Sequence, residues 1–319
     1  MLKLYSMKKT ILALGALLPP EMKEVEKNFN LLKLWKQADP EEALKTHKND
    51  IVGILSTAGG MAVTRRMIDG LPNLELIAQF GVGVDNIDLA AAAERHVAVT
   101  NTPDVVTNDT ADTALALILA TLRRIVEADV TVRTGGWRPF PLGSTLTGKT
   151  VGIIGLGRIG QAIAKRCERF EMKIAYHGRS EKKGAAYQYY ADLIQMAENV
   201  DVLVAACPGG EKTRHIVGRK VLKALGPNGF LINISRGSVV HTEDLLIALS
   251  NREIAGAGLD VYENEPEVPE ALKSMDNVVL LPHIGTATHE TRTVMGQLVL
   301  ANIVAHFEGK ALVTPVTIS

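Results

Sequence analysis

Three apolar segments in the second half of the chain run out into residues that could do chemistry. LINISRG ends at Arg236 beside a glycine. GLDVYENEP carries Asp260 and then Glu265 before a proline. VVLLPHIG sets His283 between a proline and a glycine. Singly, an Arg-Gly pair reads as a surface turn, a His after Pro as structural, and a Glu before Pro as solvated. Jointly they form a set that handles charge and protons. A guanidinium can grip a carboxylate and a neighbouring carbonyl oxygen. An imidazole can give that oxygen a proton. A glutamate beside the imidazole holds the ring oriented and favours its charged form.

A second motif says what such a set would work with. Gly155, Gly157 and Gly160 make G-x-G-x-x-G, after the apolar run VGIIG and ahead of the helical pattern RIGQAIAKRCERF. That context marks a dinucleotide-binding turn. Gly155 permits the turn, Gly157 lets the backbone approach a pyrophosphate, and Gly160 packs helix on strand. Backbone N–H groups near Arg158 and Ile159 then face the anion. The following strand, MKIAY, should deliver a ribose-binding acid about 20 residues after the turn. It delivers His177-Gly178-Arg179-Ser180, then Lys182 and Lys183. A carboxylate there would repel a 2′-phosphate, whereas a guanidinium pairs with it bidentately and a serine adds a donor. Arg179 and Ser180 therefore predict NADP(H) in preference to NAD(H). Glu181 could still reach a ribose, but its neighbours are cationic. Beside a nicotinamide, Arg236, Glu265 and His283 suit hydride transfer to a 2-oxo acid, with the cofactor doing the redox step.

These residues need strand ends to converge, because open parallel sheets bind ligands beyond the carboxyl ends of their strands. From Thr150 onward KTVGIIGLG, KIAYHG, VDVLVAAC, GFLINIS, AGAGLDV and VVLLPH predict six strands with helices between the early ones. The first hundred residues alternate likewise. TILALGALL, IVGILST, LELIAQF and VAVT read as strands, and PPEMKEVEKNF opens a helix with prolines before the chain enters LLKLW. DTADTALALILATLRRIVEADVTV holds no Gly or Pro and predicts one long helix over 107–132, capped by the Thr/Asn/Asp cluster at 107–110. GGWRPFPLGSTLTGK (135–149) is too long for a tight connection, so it is functional or interfacial. A last helix is predicted over 289–307. Strands alternating with helices mean α/β architecture: two doubly wound parallel-sheet domains. The predicted division is a discontinuous substrate domain, 1–102 with 287–319, and an inserted dinucleotide-binding domain, 103–286.

The 319 residues are enough for two domains. Lys plus Arg balance Asp plus Glu at 35 each with no basic block, which argues against nucleic acid as a partner. No apolar run approaches the ~20 residues of a membrane-spanning helix. Lys8-Lys9 followed by ILALGALL could pass for a secretory signal. Pro19-Pro20-Glu21 stands where a small-residue cleavage site would be, so a first strand entering a turn explains it better. Met1 to Ser6 reads as an extension outside the apolar pattern. Cys167 and Cys207 show no metal or redox spacing and read as small buried hydrophobes in a reducing cytoplasm. No metal site is predicted.

The runs GVGVDNID, NTPDVVTNDTAD, GKTVGIIGLGRIG, INISRG, GLDVYENEP and PHIGTAT occur in that order over nearly the whole chain. Together they resemble the D-isomer-specific 2-hydroxyacid dehydrogenase family. The resemblance implies a Rossmann nucleotide-binding domain inserted in a flavodoxin-like substrate domain. It implies that Arg236, Glu265 and His283 are catalytic and that Asp260 holds the nicotinamide carboxamide. Thr110, Ile234 and Gly285 fall where the family contacts the nicotinamide half, and Cys207 and Ser235 are further expected cofactor contacts. Pro208 and Thr213 fall on the adenosine side. Substrate contacts would come from Arg236 and His283, from backbone N–H groups of Val82 and Gly83, and from a loop, Leu55-Ser56-Thr57-Ala58-Gly59, that closes the pocket.

Family members dimerise through the nucleotide-binding domains, and in some a tryptophan before the phosphate turn reaches the neighbour's site. Trp137 matches that position; a local hydrophobic anchor accounts for it equally well. HGRS and ALGPNGFLINISRG are most similar to NADPH-linked glyoxylate/hydroxypyruvate reductases and to hydroxyphenylpyruvate reductases. Glu265 argues against the formate dehydrogenase branch, which carries an amide there. The end at residue 319 leaves no room for the regulatory domain of many phosphoglycerate dehydrogenases. The expectation is a cytoplasmic homodimer that reduces glyoxylate and hydroxypyruvate to D-2-hydroxy acids with NADPH. With 4% aromatics there is no obvious box for an aryl ring, but a loop of Leu55 type could pack one, so an aryl 2-oxo acid reductase is the alternative. A third reading is a non-catalytic NAD(P)-sensing interaction protein, like the corepressors that keep this fold. The intact Arg236–Glu265–His283 set speaks against it.

Overall fold

The structure, a computed structural model, describes residues 8–58, 60–137 and 139–317. The expected extension at Met1–Ser6 and Gly59 of the pocket loop lie outside them. The chain divides into two compact units. One runs to Val106 and resumes at Ala287; the other is Thr107–Thr286. Residues just past 102 stay with the first unit because Thr102 is pinned there. Its N–H donates to Gly81 O at 2.9 Å and its hydroxyl accepts from Gly81 N–H at 3.1 Å.

The first unit opens with β1 (Thr10–Ala13), α1 (Pro19–Asn28), β2 (Asn30–Lys33), α2 (Pro40–His47) and β3 (Ile51–Thr57). It continues through α3 (Arg65–Gly70), β4 (Leu76–Phe80), α4 (Leu89–Glu94) and β5 (Ala98–Thr100). Every pairing is parallel, in the order β2-β1-β3-β4-β5, which is the flavodoxin-like order. Asp39, Thr64 and Asp88 accept backbone N–H groups in the first turns of α2, α3 and α4, which sets where those helices start. Leu12, Ile54, Ile77 and Val99 pack with Ala91 and Ala92 in the core. Strand β2 was not expected. NLLK lies at the sheet edge and buries no side chain fully, so it lacks the apolar run that marks a strand.

The second unit begins with α5 (Thr107–Leu122) and α6 (Ile125–Arg133). Then come β6 (Thr150–Ile154), α7 (Arg158–Arg169), β7 (Lys173–His177), β8 (Gln188–Tyr190), α8 (Leu193–Glu198) and β9 (Val202–Ala205). The rest is α9 (Arg219–Leu225), β10 (Phe230–Asn233), α10 (Thr242–Ser250), β11 (Gly256–Leu259), α11 (Glu270–Lys273) and β12 (Val278–Leu280). The parallel sheet runs β12-β11-β10-β9-β6-β7-β8. Strands β6, β9, β10 and β11 are short, mostly apolar runs because helices cover both faces there. Strand order reverses between β6 and β9, which leaves a crevice at their carboxyl ends. The edge strand β8, QYY, was not expected because it carries no aliphatic residue.

The single helix expected over 107–132 is two. Arg124 takes a left-handed backbone, φ +54°. Ser144 N–H donates to Leu122 O at 2.7 Å, which uses a carbonyl that a continuing helix would need. Arg124 is paired with Glu127, and with Asp276 at 4.0 Å. Neither Gly nor Pro marks the break; the Ser144 backbone, from the loop after α6, makes it.

The last helix, α12 (His289–Phe307), returns to the first unit and packs on β4 and α1. From it the buried Asn302 stitches down the tail. Its Oδ1 accepts from Val313 and Thr314 N–H at 3.0 and 3.1 Å, and its Nδ2 donates to the Thr314 hydroxyl at 2.8 Å. The Thr314 hydroxyl in turn donates to Asn101 O at 2.6 Å, and Val316 N–H to Val99 O at 2.8 Å. No helix among the described residues is long and apolar enough to cross a membrane.

Candidate functional site

The candidates of the second unit cluster just past the carboxyl ends of its strands. After β6 the turn Gly155-Leu156-Gly157 leads straight into α7. Gly155 has φ +95°, and its N–H donates to His177 O at 2.9 Å. A Cβ on Gly160 would lie 2.1 Å from Gly155 O, so only glycine lets the helix start this close to the turn. A Cβ on Gly157 would meet nothing within 4 Å. The outer side of that residue is open to a ligand. The first intrahelical bond runs from Gln161 N–H to Gly157 O at 2.9 Å. The N–H groups of Ile159 and Gly160 therefore stand at the positive end of α7. This turn fits the pyrophosphate of a dinucleotide.

Arg179 and Ser180 follow β7 and are exposed. Beyond β9, Cys207 is buried against Gly155; a Cβ there would sit 2.9 Å from Cys207 Cα. Burial pushes the Cys207 thiol up to about 11 and that of Cys167 to about 12. Both stay protonated at neutral pH and are poor nucleophiles. The Thr213 hydroxyl closes the next turn by donating to Pro208 O at 2.7 Å.

His283 follows β12, and its Nδ1 donates to Glu265 Oε2 at 2.7 Å. Glu265 Oε1 accepts the Tyr262 N–H at 3.0 Å. Burial opposes ionisation of Glu265. The hydrogen bond and charge of His283, the Tyr262 N–H and the charge of Arg236 outweigh it and hold the carboxyl below its ordinary value. Arg236 follows β10, and its Nη1 donates to Ser235 O at 2.8 Å. Its backbone is braced by the buried Asn233, which donates to Arg236 O at 3.0 Å. Asn233 Oδ1 also accepts the Ser235 N–H at 3.1 Å and hydroxyl at 2.9 Å. The next residue explains the Arg-Gly pair. A Cβ on Gly237 would lie 1.8 Å from the carbonyl carbon of Tyr262. The arginine loop can lie on the loop that leads to Glu265 only if it has no side chain there.

Asp260 follows β11 and is 1% exposed. Its two oxygens accept the N–H groups of Ile284 at 2.7 Å and Gly285 at 2.9 Å. It therefore tethers the loop of His283, whose backbone is left-handed at φ +55°. Burial raises the Asp260 carboxyl above its ordinary value; the two N–H bonds and His283 pull it partly back. Gly285 packs between Asp260 and Thr110 of α5, and Ile234 is buried beside Ser235. The Tyr262 hydroxyl donates to Leu281 O at 2.9 Å, joining the Glu265 loop to the strand end before His283.

The first-unit candidates differ from expectation at one point. Leu55 and Ser56 are not in a loop. They are residues of β3, both 0% exposed, and Leu55 pairs with Ala13 and Ala78. Their side chains are core, and the loop begins only after Thr57. Val82 is exposed and adjoins Gly83 in the turn after β4. The turn is fixed by side-chain amides: Asn101 donates to Val82 O at 2.8 Å and Gln79 to Gly83 O at 2.9 Å. Trp137 is 75% exposed, so it is not an anchor within its own chain. Asn233 and Tyr262 were missed as supports. Their signal was position alone, at a strand end and between two acidic residues.

The model of the D-isomer specific 2-hydroxyacid dehydrogenase NAD binding domain matches residues 115–285. Among curated relatives, glyoxylate/hydroxypyruvate reductase A of Arabidopsis thaliana is 51% identical, covering 92% of this chain and 94% of its own. The hydroxyphenylpyruvate reductase of Plectranthus scutellarioides is 50% identical over 92% of this chain and 94% of its own. Among solved structures, the NADPH-dependent glyoxylate/hydroxypyruvate reductase of Sinorhizobium meliloti, in complex with NADP and malonate, superposes with a TM-score of 0.89. It is 42% identical and covers 97% of each chain.

Proposed function

The chain belongs to the D-isomer-specific 2-hydroxyacid dehydrogenase family, and we propose that it reduces small 2-oxo acids, glyoxylate and hydroxypyruvate first, to D-2-hydroxy acids with NADPH. The observation that carries this reading is the His283–Glu265 pair at 2.7 Å, with Arg236 on the adjacent loop.

Bound NADPH supplies the hydride for the substrate's carbonyl carbon. Arg236 grips the substrate carboxylate and carbonyl oxygen through its fork of donors. His283 holds a proton on Nε2 and delivers it to that oxygen, while Nδ1 stays on Glu265. Glu265 fixes the ring's orientation and balances its charge before transfer. Asp260 keeps the His283 loop in place and contributes a contact to the carboxamide. Thr110, Ile234, Ser235 and Gly285 line the nicotinamide half. The turn Gly155–Gly160, with Arg158 and Ile159, takes the pyrophosphate, and Cys207, Pro208 and Thr213 border the adenosine. Arg179 and Ser180 take the 2′-phosphate, which supports NADPH over NADH. Val82 and Gly83 N–H groups meet the substrate carboxylate.

The working form is a homodimer. Ile125, Val126, Val130 and Val132 of α6 are about half exposed, and Trp137 and Leu142 beyond it are 75% and 95% exposed. An apolar surface of this kind on one helix and its following loop suits a second copy, to which Trp137 would extend. Two buried reduced thiols suit the cytoplasm. The 50% identity to a hydroxyphenylpyruvate reductase keeps the aryl acid as a second reading. Initial rates with glyoxylate, hydroxypyruvate and 4-hydroxyphenylpyruvate, each with NADPH and NADH, decide both points. A preference for the aryl acid overturns the substrate, and a preference for NADH overturns the cofactor.

A further inference from the structure

Two tyrosines grip the loop after β7 at its two ends. Tyr176, in β7 and 2% exposed, accepts the backbone N–H of Lys182 on its hydroxyl at 2.8 Å. Tyr189, in β8, donates its hydroxyl to Gly178 O at 3.2 Å. Their rings pack at 5.2 Å with a 45° tilt, so the two anchors hold each other. The Lys182 ammonium makes a third tie, donating to Leu156 O at 3.1 Å inside the phosphate turn. Between these ties stand Arg179, Ser180 and Glu181. Filling the space would need only rings. Tyr176 is buried and Tyr189 partly so, and each hydroxyl is spent on the backbone of this one loop.

We propose that Tyr176 and Tyr189 are positioning residues for cofactor choice. They hold Gly178–Lys182 in one conformation, so that Arg179 and Ser180 already face a 2′-phosphate before a nucleotide arrives. The Lys182 tie sets the distance from that position to the pyrophosphate turn. A loop ordered in advance does not lose its freedom on binding, so its two donors act at full strength. β8 gains a purpose as well: it carries Tyr189 to the loop. The inference deepens the proposed role of Arg179 and Ser180 and rests on it.

The test compares adenosine 2′,5′-bisphosphate with 5′-AMP by calorimetry, since the two differ only in the 2′-phosphate. The wild type binds the bisphosphate more tightly. Tyr176→Phe and Tyr189→Phe keep the rings, and each should cut that preference about fivefold, the weight of one neutral hydrogen bond. The preference of NADPH over NADH in kcat/KM should fall in parallel, with melting temperatures checking the fold. In an Arg179→Ala background either change should add little, because the tyrosines act through Arg179. An unchanged preference, an equal loss for both ligands, or a full additive loss without Arg179 would each overturn the inference. A wild type with no preference for the bisphosphate overturns the reading of Arg179 and Ser180 first, and the tyrosine role with it.

Discussion

Asp260 should matter more for rate than for fold. Its two oxygens accept the N–H groups of Ile284 at 2.7 Å and Gly285 at 2.9 Å, the residues next to a left-handed His283. In Asp260→Asn only one side-chain atom can accept; the NH2 group would face the other N–H. The loss of one hydrogen bond to a charged group costs about 1.5–3 kcal/mol. A left-handed non-glycine residue costs roughly 1–2 kcal/mol to hold. The lost bond is therefore comparable with the strain that the tether restrains, and His283 should leave its position over Glu265. With glyoxylate and saturating NADPH, kcat should fall about 10- to 100-fold.

Stability should change less. Burial raises the Asp260 carboxyl, with the Ile284 and Gly285 N–H groups partly opposing it. A carboxyl raised by folding binds its proton more tightly in the folded state. Its stabilising contribution is complete below the unfolded value, near 3.9, and is lost as pH rises through the folded value. At neutral pH the wild type thus carries a desolvation cost that the amide avoids, which offsets part of the lost bond. The assay is kcat, the KM of each substrate, and the melting temperature at pH 7. A kcat within about threefold of wild type refutes the tether. A change confined to the KM of NADPH would leave Asp260 as a cofactor contact alone.

His283→Ala should lower kcat about 10²- to 10⁴-fold while NADPH binding, followed by fluorescence titration, persists; unchanged turnover would remove it as the acid. Arg236→Ala should raise the KM of the 2-oxo acid and lower kcat, and a change in melting temperature alone would contradict its assignment. Gly237→Ala drives a methyl into the Tyr262 backbone and should cost about 3 kcal/mol in urea unfolding; an unchanged midpoint would show that the loops can separate freely. Glu265 is held low chiefly against its own burial, by His283. The stability it contributes is present above the unfolded value near 4.3 and is lost as pH falls through the folded one. The stability gap between wild type and Glu265→Gln should therefore close on acidification, and parallel pH–stability curves would count against this.

What was legible in the chain was whatever an apolar run or a glycine announces. The two parallel sheets follow from runs such as VGIIG and VLVA, which are buried on both faces. The missed strands, NLLK and QYY, lie at sheet edges, where no such run is needed. The break at Arg124 is made by Ser144, far along the chain, so no local signal records it. The site divides in the same way. Residue types with reactive heads, Arg236, Glu265 and His283, stood out by kind. The Tyr262 hydroxyl and the tethering bonds of Asp260 are visible only once strand ends meet, because their partners are backbone atoms of another strand end or loop; Asn233 braces its own turn, where an amide has no reactive head to mark it. Leu55 and Ser56 were drawn into a loop by resemblance, although IVGILST is an unbroken strand pattern.

The split first unit also dictates an order of events on the ribosome. β1 to β5 emerge first, but α12, which packs on β4 and α1, and the segment stitched by Asn302 emerge last. The inserted unit, Thr107–Thr286, is contiguous and can close during the wait. A nascent chain stalled before Ala287 thus holds one finished sheet and one with an uncovered apolar face, the kind of surface that chaperones hold. Thr314, by joining Asn302 to Asn101, is the late knot that ties the tail to the end of β5.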